Sequence, residues 1–197
     1  MTDRTEAGAL GGGTVPDLGK LGSRRVYTGR VLNLDIDEVR FPDGSKGELE
    51  MIRHPGASAI VPFLGDPAGD DPQILLIRQY RYASEGFLYE IPAGRLEPRE
   101  APLDCARREL AEETGCTAER LEHVFTMYTT PGFTDEKIHL FLAAGLTRGA
   151  SRLEHDEFVE VMTMPLSKAL EMIHSGDIMD AKTALGLLYV AGFRLGR

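Results

Sequence analysis

The stretch Gly94–Cys116, GRLEPREAPLDCARRELAEETGC, constrains this chain more than any other. Its second half reads as a helix. Pro102 suits a first turn, where a missing N–H costs nothing, and Gly115 suits the left-handed residue that closes a helix. Leu103, Ala106 and Leu110 recur at helical spacing and give the buried stripe. Glu109, Glu112 and Glu113 fall three and four apart on the opposite side, so their carboxylates share one face. Like charges at that spacing repel, and locally only Arg108, four before Glu112, offsets them. With Glu100 in the preceding loop, four carboxylates can converge on one point. A hard, oxygen-seeking divalent cation, above all Mg²⁺, is the natural counter-charge. Most Glu-rich helix faces are simply solvated, so the decision falls to the spacing.

That spacing runs Gly94, five residues, Glu100, seven residues, Arg108-Glu109, an aliphatic residue, one more, Glu112-Glu113, one more, Gly115. It resembles the signature of the Nudix hydrolases at every fixed letter. Seven fixed residues at ordinary composition coincide by chance on the order of 10⁻⁸ per position. Cys116 stands where the family usually has Ile, Leu or Val, and a buried cysteine behaves as a small hydrophobe. The resemblance implies a Nudix α/β/α sandwich built on a mixed β-sheet. It also implies Glu109, Glu113 and the Ala93 carbonyl as ligands of two or three Mg²⁺, with Mn²⁺ as the alternative metal. Glu112 would complete the cluster, and Glu100 with Arg108 would orient it through hydrogen bonds.

A length of 197 residues fits one domain with extensions, and a net charge of −9 argues against a nucleic-acid surface. No run of 18 apolar residues suggests a membrane span, and the N-terminus lacks a signal-peptide pattern. The two cysteines, Cys105 and Cys116, lie eleven residues apart on or beside one helix. That is about 16 Å, too far for a disulfide. The expectation is a reduced, cytoplasmic protein.

Along the chain, residues 1–22 are Gly-rich and polar and read as a disordered tail. Residues 23–55 read as a β-hairpin: alternation from Arg25 to Phe41, a turn at Pro42 to Ser45, then ELEMIRH. Residues 56–197 hold the catalytic unit. In it ASAIVPFL and QILLIRQYR form a strand pair, the second apolar enough to be covered on both faces. Strands are expected at 122–128, 137–143 and FVEVMTM. Helices are expected at PLSKALEMIHSG and from about Ala181 to Leu195.

Several features resemble the ADP-ribose pyrophosphatase subfamily. Pro131 lies fifteen residues beyond the signature, within P-G-F-T-D-E, and Glu90-Ile91-Pro92-Ala93-Gly94 matches its E-x-P-A-G entry. The resemblance implies hydrolysis of ADP-ribose to AMP and ribose 5-phosphate. It implies Arg81 at the pyrophosphate, where a guanidinium fork suits phosphate oxygens. Glu97 would lie near the diphosphate and metals, and Glu136 would accept hydrogen bonds from the terminal ribose. A mobile loop acid would serve as general base. Glu157 aligns best, but relatives have a second acid where this chain has His155, so Glu154 and Asp156 compete with it. In this subfamily the N-terminal strands swap across a homodimer, which places Val31, Glu50 and Arg53 toward the partner's adenosine. Without the resemblance, Arg81 is a strand terminus and the N-terminal strands an ordinary edge hairpin. Two alternatives stay open: a pyrophosphatase for another nucleoside diphosphate sugar or related nucleotide, and a non-catalytic Nudix ligand sensor. His54, His123, His139 and His174 show no ligand spacing and receive no role.

Overall fold

A computed structural model of the chain describes residues 18–149 and 159–195. Two compact units emerge, one running up to Arg53 together with Gly132–Thr134, the other comprising His54–Pro131 and Asp135–Arg197.

The first unit is a three-stranded antiparallel sheet in the order β1 (Gly19–Thr28), β2 (Asn33–Arg40), β3 (Lys46–Arg53). The predicted hairpin is therefore a meander. The alternating run from Arg25 is cut in two by a tight turn in which the Gly29 N–H donates to Leu32 O at 2.9 Å. Strand β1 also begins inside the predicted tail. The predicted turn at Pro42–Ser45 is present: Phe41 N–H donates to Ser45 O at 2.8 Å, and Asp43 accepts from the Ser45 N–H at 2.9 Å. On one face Arg53 donates to the buried carboxylates of Asp35 and Asp37, which Arg25 and Ser23 also reach.

The second unit is a seven-stranded mixed sheet between helices. Its strands are β4 (Ala57–Leu64), β5 (Gln73–Arg81), β6 (Gly86–Glu90), β7 (Ala93–Arg95), β8 (Cys116–Tyr128), β9 (Lys137–Arg148) and β10 (Val159–Pro165). The path runs β10-β5-β4-β9-β8, with β6 on β5 and β7 on β4. Strands β4 and β9 pair in parallel; the other pairings are antiparallel. Helix α1 (Pro102–Thr114) covers one face; α2 (Leu166–Ser175) and α3 (Ala181–Tyr189) cover the other. Alternate residues of β4 feed the two cores: Ala59, Val61 and Phe63 meet α2 and α3, while Ile60 meets Ala106 and Leu110 of α1. Both faces being covered, β4 and β5 read as nearly unbroken apolar runs.

Three local expectations change. Leu103 is 38% exposed; the buried face of α1 is Cys105, Ala106, Glu109, Leu110 and Glu113. Strands β8 and β9 extend well beyond 122–128 and 137–143. The last helix is α-helical only to Tyr189 and continues as a π turn over Val190–Arg194. Helix α1 itself has the predicted ends: Pro102 in its first turn, and Gly115 at φ 68° returning its N–H to Ala111 O at 3.0 Å. Both cysteines are free and buried. Among the described residues no helix is long and apolar enough to cross a membrane.

Candidate active site

The signature helix presents its glutamates around one cation. The Arg108 guanidinium donates to both oxygens of Glu100 at 2.9 Å, to Glu109 at 2.6 Å and to Glu112 at 3.0 Å. A further Arg108 N–H reaches the Arg95 carbonyl at 3.0 Å. Three of the four carboxylates thus meet at Arg108: Glu100, expected to orient the cluster together with Arg108, and Glu109 and Glu112, expected in the metal cluster itself. The fourth, Glu113, accepts from the Ala93 N–H at 2.9 Å. Among the described residues no three His, Cys, Asp or Glu side chains are gathered closely enough to hold a metal ion. Arg108's hydrogen bonds, working against partial burial, hold the Glu100 carboxyl down at about 2. Glu100 also accepts from the Glu97 N–H at 2.9 Å, so Glu97 contributes its backbone while its side chain is exposed.

The donor set fits a hard divalent cation. Glu109 and Glu113 are 7% and 2% exposed on the inner side of α1, and carboxylate oxygens are the donors that Mg²⁺ and Mn²⁺ prefer. A Cβ built on Gly94 would fall within the Glu109 carboxylate, so the missing side chain is what seats that group over the β7 backbone. Ala93, whose N–H already meets Glu113, is the adjacent residue. Cys105 packs beneath, its sulfur 3.5 Å from the Gly94 and Arg95 carbonyls; burial pushes its thiol up to about 11, which keeps it protonated.

Ala93 and Gly94 also line a cleft of about 390 Å³. Its rim carries Arg81, Arg95 and Lys182, with Glu136 and Asp180 as acids. Glu136, one of the predicted substrate residues, accepts from the Thr129 hydroxyl at 2.9 Å and lies 3.2 Å from His54 Nδ1. Arg81 donates two parallel hydrogen bonds, 2.7 and 2.9 Å, to Glu90. Lys182 bonds the same carboxylate and lies 3.0 Å from Asp180. Burial works to raise the Glu90 pKa, but Arg81 and Lys182 outweigh it and leave the group below the usual carboxylate range.

Sequence reasoning therefore named Arg81, Ala93, Gly94 and Glu136 of this cleft and gave no role to Arg95, Lys182 and Asp180, nor to His54, which lies against Glu136. Asp180 carried a signal, since an Asp directly ahead of a helical run is a preferred N-cap, and its carboxylate does accept from the Thr183 N–H at 2.9 Å. Nothing local marked Lys182 as a neighbour of Glu90. Of the N-terminal candidates, Val31 and Glu50 are exposed, and Arg53 is engaged by Asp35 and Asp37 of its own sheet. Glu154, Asp156 and Glu157 lie outside the described residues.

Buried carboxylates beside a cleft lined by cations carry the donor chemistry that a divalent metal and a phosphate-bearing ligand would need. The comparisons name the class. Residues 53–182 match the NUDIX domain. Over 172 residues the chain is 39% identical to the ADP-ribose pyrophosphatase of Bacillus subtilis (strain 168), covering 86% of this chain and 90% of that protein. Over 170 residues it is 39% identical to the methanol dehydrogenase activator of Bacillus methanolicus, covering 85% and 89%. A crystal structure of an ADP compounds hydrolase superposes with a TM-score of 0.77 over 94% of this chain and 98% of that one, at 22% identity, a likeness of fold. The chain belongs to the Nudix family.

Proposed function

We propose that the protein hydrolyses the diphosphate bond of ADP-ribose, giving AMP and ribose 5-phosphate. The observation that carries this reading is the cleft, whose lining joins Arg81 and Lys182 to Ala93, Gly94 and Arg95, the strand on which Glu109 and Glu113 are seated. The protein's net charge is −9, and a cationic rim on an acidic molecule suits an anionic ligand. Held by Glu109, Glu113 and the Ala93 carbonyl, and tuned by Glu112, two or three Mg²⁺ or Mn²⁺ ions would neutralise the diphosphate and make a bound water acidic. Arg81 and Lys182 bind phosphate oxygens. Glu136, at the same cleft, accepts from ribose hydroxyls. Arg108 and Glu100 keep the helix carboxylates in place, Glu97 stands by the diphosphate, and Glu157 takes the proton of the attacking water. The chain acts as a homodimer in which Val31, Glu50 and Arg53 serve the partner's adenosine.

Turnover of ADP-ribose, GDP-mannose and ADP-glucose with Mg²⁺, followed by separation of the products, tests the reading. AMP and ribose 5-phosphate should form fastest. Faster cleavage of another sugar nucleotide would move the substrate assignment. Tight binding without cleavage of any would make the protein a ligand sensor.

A further inference from the structure

We propose that Glu90 is a positioning residue for the phosphate-binding cations of the cleft, one buried carboxylate setting both the Arg81 fork and the Lys182 ammonium. The inference rests on the diphosphate reading above and deepens it. Glu90 ends β6, opposite Ile77 of β5, and is 1% exposed. It does not line the cleft that contains Ala93 and Gly94. It opens instead on a second hollow of about 360 Å³ that shares Arg81, Asp180 and Lys182 with the first. The two cations thus form a wall, with Glu90 behind it and the candidate substrate site in front.

The geometry distinguishes positioning from mere neutralisation. Arg81 offers Nε and Nη2 to the two Glu90 oxygens, the planar two-point match that fixes a guanidinium in orientation as well as place. It remains 42% exposed on the cleft side of the pair. Lys182, by contrast, is 13% exposed and is tied to Glu90 and Asp180. Arginine and lysine side chains are rich in rotamers, and holding them before the ligand arrives removes an ordering cost from binding. The neighbouring backbone is tied down as well: Ile91 N–H donates to the buried Thr183 hydroxyl at 2.8 Å. Glu90 therefore sits where strand β6 and helix α3 are joined.

The charge count gives the test its direction. Arg81 and Lys182 balance Glu90 and Asp180, so Glu90→Gln leaves the wall one positive charge richer. If Glu90 only neutralises, a diphosphate should bind that variant more tightly. If Glu90 positions the cations, binding should weaken despite the added charge. We expect the Kd of ADP-ribose, measured calorimetrically without metal, and its KM with Mg²⁺ to rise tenfold or more in Glu90→Gln, with kcat within about threefold of wild type. Glu90→Asp keeps the charge on a shorter arm that cannot reach both partners, and should weaken binding at least fivefold. If neither variant folds, nitrogen NMR of the wild type decides: a preset Arg81 shows a slowly exchanging Nε–H before AMP is added, and an averaged signal that sharpens only on binding overturns the proposal. Unchanged or tighter binding by Glu90→Gln overturns it too and leaves the diphosphate reading standing. A wild-type protein that binds neither ADP-ribose nor another sugar nucleotide sinks both.

Discussion

A methyl group on Gly94 would fall within the Glu109 carboxylate, so Gly94→Ala must drive a buried glutamate from its seat. Overpacking of this kind costs about 1–3 kcal/mol of stability. The loss to catalysis should be larger, kcat falling by about a hundredfold or more, a barrier rise of ~2.7 kcal/mol. Kinetics within a few-fold of wild type would show that Glu109 does not need that seat. Arg108 supports a different kind of prediction. Its hydrogen bonds hold Glu100 from 4.5 down to about 2 in the folded protein. A depressed carboxyl stabilises the fold above its unfolded pKa, and that stability fades as pH falls from 4.5 toward 2. Arg108→Ala removes the cause, so its Tm deficit should narrow as pH drops from about 6 to about 3. A deficit that stays constant or widens over that range would place Arg108's contribution elsewhere. The signature spacing made each of these residues legible. It marked Arg108 as the counter-charge four before Glu112 and as a partner of Glu100, but not that the same guanidinium also reaches Glu109, since adjacent residues on a helix do not face each other.

Helix α1 was readable from end to end because Pro102 and Gly115 act on their own backbone. Its buried stripe was less so: the face that meets the sheet takes in Cys105, Glu109 and Glu113 beside Ala106 and Leu110, so it is turned away from Leu103, which falls outside it, and toward glutamates that the polarity pattern places on the opposite side. Strand β8 forms an end of the sheet path, so Thr117, Glu119 and Arg120 are exposed there and blur the period-2 pattern that would have extended the predicted strand. The break at Gly29 was missed because the residues on either side of it keep strand character. The junction of α3 with the entry to the signature had no local sign, since it depends on docking residues 92 apart in the chain. Thr183 tests that junction. It is fully buried, accepts the Ile91 N–H and donates to Asp180 at 2.5 Å. Thr183→Val keeps the shape and leaves the buried Ile91 N–H without its acceptor, while Asp180 keeps Lys182 and the backbone N–H of residue 183; this should cost about 1–3 kcal/mol by chemical denaturation. Thr183→Ser retains the hydroxyl and should recover most of the difference. A Thr183→Val loss below about 1 kcal/mol, or a Thr183→Ser loss larger than it, would assign the site's contribution to packing of the methyl group rather than to the hydrogen bonds.

At the scale of the molecule, the sheet of β1–β3 holds polar residues that its own fold does not consume equally. Asp35 and Asp37 are buried and held by Arg25, Arg53 and Ser23, and their carboxyls are kept below the usual range. Arg53→Ala would remove the guanidinium that bridges both acids, leaving Asp35 to Arg25 and Asp37 to Ser23 and Lys20, and so perturb the sheet itself; it is a poor probe of a shared site. Val31 and Glu50 are exposed, and a chain carrying Val31→Ala and Glu50→Ala should fold while losing what this sheet offers a partner. That chain, combined with one carrying Glu113→Gln, tests the proposed dimer by complementation. If each site draws its metal carboxylates from one chain and Val31 and Glu50 from the other, a mixed dimer contains one site with both defects and one with neither. Random pairing of equal amounts makes half of the dimers mixed, so activity should recover toward about a quarter of wild type. Each parent alone should stay well below that level. Subunit exchange is verified separately by mass, with one parent isotopically labelled. Exchange without recovery would mean that every site is completed within a single chain, and the sheet of β1–β3 would then serve its own protomer.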